Sequence, residues 1–318
     1  MLFTISDDQR RLLALCAIRT DNGSMDWSLI AREAQGEAGL NDLWQGYIKE
    51  SSVAAKKSIG ILHQGLLQKE ELLERVDAEL AAAQAVGARL VTVLDDSYPT
   101  NLRLIPNLPP FLFIRGELLT RDTRSIAVVG TRSPSDPGVN RACRMSKLLA
   151  EQGVTVVSGL ARGIDTAAHQ AALGAGGRTI AVLGTGITKC YPPENRELSE
   201  EVAHNGALVS QFWPTRSPSR DTFPRRNVVT SGLSQGTVVI EASSTSGAKM
   251  QARLALEHGK KVFLLRTLVA TQPWANDYVQ ERGAMQVENV EEVTRHLASA
   301  ESIYELGRRR RQLTLSLK

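Results

Sequence analysis

The tightest constraint on how this chain can fold is the step from Ile126-Ala127-Val128-Val129 to Gly130-Thr131-Arg132-Ser133. A run of branched apolar residues without polar alternation predicts a strand covered on both faces, as in a parallel sheet sandwiched by helices. Gly130 ends the run in a tight turn. Ser135 or Asp136 then supplies a helix cap, Pro137 suits a first helical turn, and the apolar periodicity through Leu148 and Leu149 closes at Gly153. Strand, polar loop and helix N-terminus together attract anions, because the free amides and the dipole of the helix point at the loop. Arg132 adds a cation. Taken alone, the segment fits an ordinary strand-to-helix turn with a surface arginine equally well.

The rest of the chain repeats the pattern. Strands are expected at 154–157, 179–183, 207–209, 237–240 and 261–265, separated by helices at 165–173, 195–204, 227–233 and 248–257. This succession predicts an α/β fold, an extended Rossmann-like and mainly parallel sheet with helices on both faces. Short strands at 90–94 and 111–114 flank a connection punctuated by Tyr98-Pro99 and Leu108-Pro109-Pro110. Upstream, apolar spacings of three and four recur without strand-like alternation, which predicts a small helical domain. The expected organisation is a helical (SAM-like) domain over 1–88, a Rossmann-like domain over 89–300, and a flexible basic tail over 301–318.

Charge is unevenly placed along the 318 residues. Residues 1–99 carry ten Lys and Arg against fifteen Asp and Glu, residues 100–307 carry 23 against 19, and the last eleven carry five against none. Binding of a polyanion must therefore come from local clusters rather than from the net charge of +4. Cys16, Cys143 and Cys190 have neither metal-ligand nor redox spacing, so reduced thiols in a packing role are expected, as are a cytoplasmic location and no bound metal. The N-terminal charges Asp7, Asp8, Arg10 and Arg11 stand where a signal peptide needs apolar residues, and no run reaches the length of a membrane helix.

In an open α/β sheet the ligand sits at the carboxyl ends of the strands. Four such ends carry small, polar or basic residues: Gly130 to Ser133, Ser158-Gly159 with Arg162-Gly163, Gly184 with Lys189, and Ser243 to Lys249. In register, they predict a nest for phosphates. Neither a P-loop nor a dinucleotide fingerprint is present, and no catalytic set is legible. His169, one turn beyond Asp165, is expected to order its helix start with that carboxylate, and Glu241 to anchor backbone amides or an arginine. The most basic internal stretch holds Arg216, Arg220, Arg225 and Arg226 among Phe212, Trp213 and Phe223. Arginines interleaved with rings suit sequence-tolerant binding of single strands, and a solvated loop with inward-packed rings is the alternative.

These segments resemble the DNA-processing protein A (DprA/Smf) family. The match runs through Ile126 to Ser133, Ser158 to Asp165 with Ala168-His169, Tyr191-Pro192-Pro193-Glu194-Asn195, Phe223-Pro224-Arg225-Arg226-Asn227, Gly232-Leu233, Glu241-Ala242 and Ser246-Gly247. The family's proline-glycine turn after the last strand is replaced here, from Arg266 onward. The resemblance implies a nonenzymatic single-stranded DNA binder without a cofactor, a homodimer, and the loading of a RecA-type recombinase in transformation or recombination, or a role in defence against foreign DNA. By motif position it implies a DNA-backbone site at Gly130, Arg132, Ser133, Arg162, Arg225, Arg226 and Asn227, to which the loop and ring reading adds Thr131, Ser158, Gly159, Gly163, Gly184, Lys189 and Phe223, with Lys249 added on its charge. The alternative expectation is a sensor holding a nucleotide-derived small molecule in the same pocket.

Overall fold

The structure, a computed structural model, describes residues 5–316, and for residues 310–316 the backbone alone. The N-terminal region forms α1 (Asp7–Ala17), the short pair β1 (Arg19–Thr20) and β2 (Gly23–Ser24), then α2 (Trp27–Ala34), α3 (Gly39–Trp44), α4 (Val53–Gly65) and α5 (Lys69–Ala85). Ser6, Asp26 and Ser52 cap α1, α2 and α4 by accepting amide hydrogens from the first turns, which offsets part of the cost of starting a short helix. The β1–β2 ladder is an addition to the purely helical expectation.

The remainder alternates: β3 (Arg89–Thr92), α6 (Thr100–Arg103), β4 (Phe111–Gly116), β5 (Ser125–Val129), α7 (Asp136–Glu151), β6 (Thr155–Ser158), α8 (Ile164–Gly174), β7 (Thr179–Val182), α9 (Arg196–Asn205) and β8 (Ala207–Ser210). It continues with α10 (Thr222–Leu233), β9 (Gly236–Val239), α11 (Gly247–Glu257), β10 (Lys261–Leu265), α12 (Arg266–Thr271), α13 (Pro273–Glu281), β11 (Met285–Val287), α14 (Glu291–Thr294) and α15 (Ala300–Ser316). Nine strands make one sheet in the order β11-β10-β9-β5-β6-β7-β8-β4-β3. Seven of them, from β11 through β8, run parallel, and β4 and β3 extend the sheet antiparallel. The parallel strands read as continuous apolar runs because helices cover both faces, and Ile126, Ala127 and Val128 are fully buried.

This order fixes where a ligand can go. From β5 the chain builds outward through β6, β7 and β8, then returns to the other side of β5 with β9, β10 and β11. The topological switch point therefore lies between the carboxyl ends of β5 and β9, where the diverging connections leave a crevice.

The helical region is seated against the antiparallel edge through an aromatic cluster. Trp27 packs tilted against Phe111, ring centres 5.0 Å apart, and meets Trp213 edge-on at 6.4 Å. Glu79 accepts hydrogen bonds from the Thr215 amide and hydroxyl, at 3.0 and 2.7 Å. Trp213 packs against Trp27 and Phe111, and Phe212 is buried under Arg225, so these two rings follow the inward-packed alternative rather than serving as stacking platforms.

The expected flexible tail is instead the helix α15. Ser299 accepts the Ser302 amide hydrogen at its start, and Gly307 lies so close to Thr100 that a Cβ would stand 2.2 Å from its Cγ2. No proline interrupts the stretch and Gly307, though a weak helix former, lets it dock, so a run of charge that reads as tail folds as helix. Arg310 and Arg311 have described backbone only, and Leu317 and Lys318 lie outside the described residues. No helix among the described residues is long and apolar enough to cross a membrane, and no described cluster of His, Cys, Asp and Glu could hold a metal ion. Cys16, Cys143 and Cys190 are unpaired.

Candidate nucleic-acid interface

A cleft of about 430 Å³ opens at the switch point. The β5 loop contributes Gly130, Thr131 and Arg132, the β6 loop Ala161, the first turn of α8 Asp165, the first turns of α10 Phe223, Arg226 and Asn227, and the start of α11 Gly247 and Ala248. Ser246 caps α11 by accepting the Lys249 amide hydrogen at 3.2 Å. First-turn amides and the helix dipole favour an anion at that wall.

The loops hold each other. Thr131 donates its amide to the Glu241 carbonyl at 2.7 Å and accepts the Ile164 amide at 3.2 Å. The Glu241 carboxylate receives the Ser135 amide and hydroxyl, at 3.1 and 2.7 Å, while Ser135 caps α7. Glu241 thus anchors amides, as expected. Asn195 donates from its amide to the Leu160 carbonyl and to the Thr166 hydroxyl, both at 2.9 Å. That grip holds Leu160 in a left-handed conformation (φ +57°), which a branched side chain adopts only when its surroundings compel it.

The glycines do something other than expose amides. A Cβ on Gly159 would lie 1.7 Å from Arg226 Nη1, and one on Gly163, where φ is +77°, would lie 2.5 Å from the Thr131 carbonyl oxygen. Gly130 makes room for Ile164, and Gly184 for the Phe223 ring. The Gly159 amide is itself spent on the Asp165 carboxylate at 3.1 Å. At Gly159 the expected open amide is therefore already engaged, and the glycines of these loops permit close approaches that let side chains converge.

What converges is positive charge and a ring. Arg226 is buried, donates from Nη1 to the Val182 carbonyl at 2.7 Å, and leaves Nε without a partner among the described residues. Burial pushes its pKa down, Asp165 pulls it up, and the charge of Arg132 lowers it further. Arg132 is exposed, lies 5.3 Å from the centre of the Phe223 ring, and makes no ion pair among the described residues. Phe223 is packed in turn by Tyr191 at 5.6 Å. Two guanidinium groups repelling one another across a cleft are relieved when an anion enters between them.

The buried acid and base beneath the cleft are committed to structure. Burial raises the pKa of Asp165, against the pull of Arg226 and of its amide donors. His169 turns away from Asp165, correcting the expected pair. Its Nδ1 meets the Thr179 hydroxyl at 2.6 Å, and that hydroxyl donates to the Val156 carbonyl, so Nδ1 carries the proton. Burial, then the charge of Arg226, brings the His169 pKa down to about 3.

The structure gathers Gly130, Thr131, Arg132, Phe223, Arg226 and Asn227 around the cleft. Other expected residues stand elsewhere. Ser158 is fully buried and donates to the Val128 carbonyl at 2.7 Å. Arg162 pairs with Glu194 outside the cleft, and Ser133 lines the neighbouring cavity. Lys189 is exposed on the β7 loop. Arg225 packs over Trp27 and Phe212 at 5.1 and 5.3 Å, and Lys249 over Trp274 at 5.7 Å. Tyr191 belongs to the Tyr191-Pro192-Pro193-Glu194-Asn195 segment, whose sequence carries no sign of a stacking role, and its place over Phe223 follows only from the fold.

Fold and cleft together define an extended Rossmann-like protein with a cationic, ring-lined cleft at the switch point in place of a dinucleotide or P-loop fingerprint. Residues 89–298 match the family described as DNA recombination-mediator protein A. The chain belongs to this family, the DNA-processing DprA/Smf proteins. It is 41% identical to protein Smf of Synechocystis over 186 residues, 57% of this chain and 47% of that protein. It is 40% identical to DNA processing protein DprA of Streptococcus pneumoniae over 174 residues, 55% of this chain and 61% of that one. The matches thus span only about half of these relatives' lengths. Among solved structures, DprA of S. pneumoniae superposes with a TM-score of 0.73 at 27% identity, covering 93% of this chain and 99% of that chain. DprA of Helicobacter pylori, described for its unique single-stranded DNA binding mode, gives 0.58 at 25% identity over 65% of this chain and 94% of that one.

Proposed function

We propose that the switch-point cleft binds single-stranded DNA by its backbone, with a base stacked on the exposed side of the Phe223–Tyr191 pair. The observation that carries the reading is the Arg132–Arg226 pair: two like charges on one cleft, Arg132 without a carboxylate partner among the described residues and resting on a ring. A phosphodiester between the guanidinium groups would remove their repulsion, and the neighbouring ring offers a π face that any base can use. The name of the H. pylori structure, which records single-stranded DNA binding for that protein, supports the same reading. The cleft holds its ligand rather than reacting with it, a reading favoured by the commitment of Asp165, Glu241 and His169 to the loops and sheet around it.

The family resemblance extends the proposal to a homodimer acting in the cytoplasm and handing its strand to a RecA-type recombinase. Titration of a labelled oligothymidylate tests the core of it. Binding that weakens steeply with salt and falls about 10-fold or more in Arg132→Ala is expected from the loss of one charge-assisted phosphate contact. Isotherms that superpose for the two proteins would contradict it.

A further inference from the structure

The cleft does not end at the switch point. Past the β5 loop lies a second cavity of about 430 Å³, which shares Thr131 and Ser243 with the first. Beyond it a third, of about 410 Å³, shares Arg141 and Thr267 with the second. Adjoining through these shared walls, the three follow one another as a trough-like succession along the carboxyl ends of β5, β9, β10 and β11. Its middle is walled by small hydroxyl residues, Ser133, Ser135, Thr267 and Thr271. Its far end carries Arg141 and Arg144, successive on one face of α7, and Arg266 at the start of α12.

We propose that this far end is a second phosphate-holding station, and that one DNA strand runs from Arg132 and Arg226 through the trough to Arg141 and Arg144. The proposal rests on the single-strand reading of the first cleft. Arg141 and Arg144 make no ion pair or side-chain hydrogen bond among the described residues, and Arg144 is exposed. The carboxylates along the path are largely engaged: Glu241 by Ser135, and Glu288 by Arg266 at 2.7 Å, leaving Glu291 on the far wall. Cations at both ends with hydroxyls between them suit a chain of phosphates longer than one group, since a mononucleotide would be satisfied within the first cavity.

The test varies strand length. Oligothymidylates graded from about 4 to about 16 nucleotides are titrated by anisotropy at several salt concentrations against the unaltered chain and R141A/R144A. The shortest oligonucleotide that binds should do so equally well in both. The longest should bind the variant about 10-fold more weakly at low salt, with a log–log salt slope shallower by about 1.4, at roughly 0.7 for each of two lost contacts on a single strand. Arg144→Glu should give a length-dependent loss of the same kind. Equal affinities at every length overturn the second station. Equal losses at every length overturn it as well, because the arginines would then act on the first cleft or on folding. If the unaltered chain binds no length, the reading of the first cleft fails too, an outcome separate from the others.

Discussion

At the scale of the residue, the site depends on side chains that are absent. Gly159 leaves the space that the Arg226 guanidinium fills, so Gly159→Ala would drive a Cβ into it. Overpacking of this kind typically costs about 1–3 kcal/mol, and displacement of the cation should abolish DNA binding at the same time. Gly174, with open space around its Cβ position on α8, is the control: Gly174→Ala should leave binding intact and hold or raise stability, by up to about 1 kcal/mol. Thermal melts and titrations of the two variants separate the effects. His169 supplies a pH signature. Its folded pKa of about 3 lies below the ordinary 6.5, so as pH falls below 6.5 the unfolded chain takes up a proton that the folded imidazole refuses. The stability due to neutral His169 is complete above pH 6.5 and is lost toward pH 3, by about 1.4 kcal/mol per pH unit. The raised pKa of Asp165 works in the opposite direction within its own range. His169→Gln should therefore lower the melting temperature at pH 7 and flatten its decline from pH 6.5 to 3, whereas parallel profiles would reject the assignment.

At the scale of the element, the parallel strands and their helices are legible because burial on both faces writes itself as unbroken apolar runs, and caps such as Ser135 and Ser246 mark helix starts. The partition of arginines is not legible in the same way. Arg225 and Arg226 are neighbours in sequence, but on the first turns of α10 their side chains diverge by about 100°, sending one to Trp27 and the other to the cleft. Read as a loop, the two are equivalent. The glycine loops mislead for a related reason: a glycine that opens an amide and one that admits a distant side chain look alike until the partner is known. The charge run after Gly307 reads as tail because its docking depends on Thr100, far away in the chain. The helical region's attachment can be tested through Trp27, whose ring bridges α2 to Phe111, Trp213 and Arg225. Trp27→Ala is expected to cost about 3 kcal/mol or more in chemical denaturation. A change near zero would mean that the helical region contributes little to the stability of the sheet.

At the scale of the whole molecule, the charge distribution assigned from sequence acquires a geometry. The acidic N-terminal region sits against the antiparallel edge of the sheet, away from the trough, while the unpaired arginines lie along the carboxyl edge of the parallel strands. A net charge of +4 would attract any polyanion weakly, and the trough turns it into a path. At the switch point, the hold of Arg132 and Arg226 on a phosphodiester backbone is the proposal from which the rest follows. Its most direct measurement is a titration of single-stranded oligonucleotide against the unaltered chain and Arg132→Glu across a range of salt. The expected result is a linear fall of log affinity with log salt, steeper by about 0.7 for each phosphate held, and a large loss in the variant with an unchanged melting temperature. Absence of binding at about 50 mM salt, or identical isotherms for the two proteins, would contradict it.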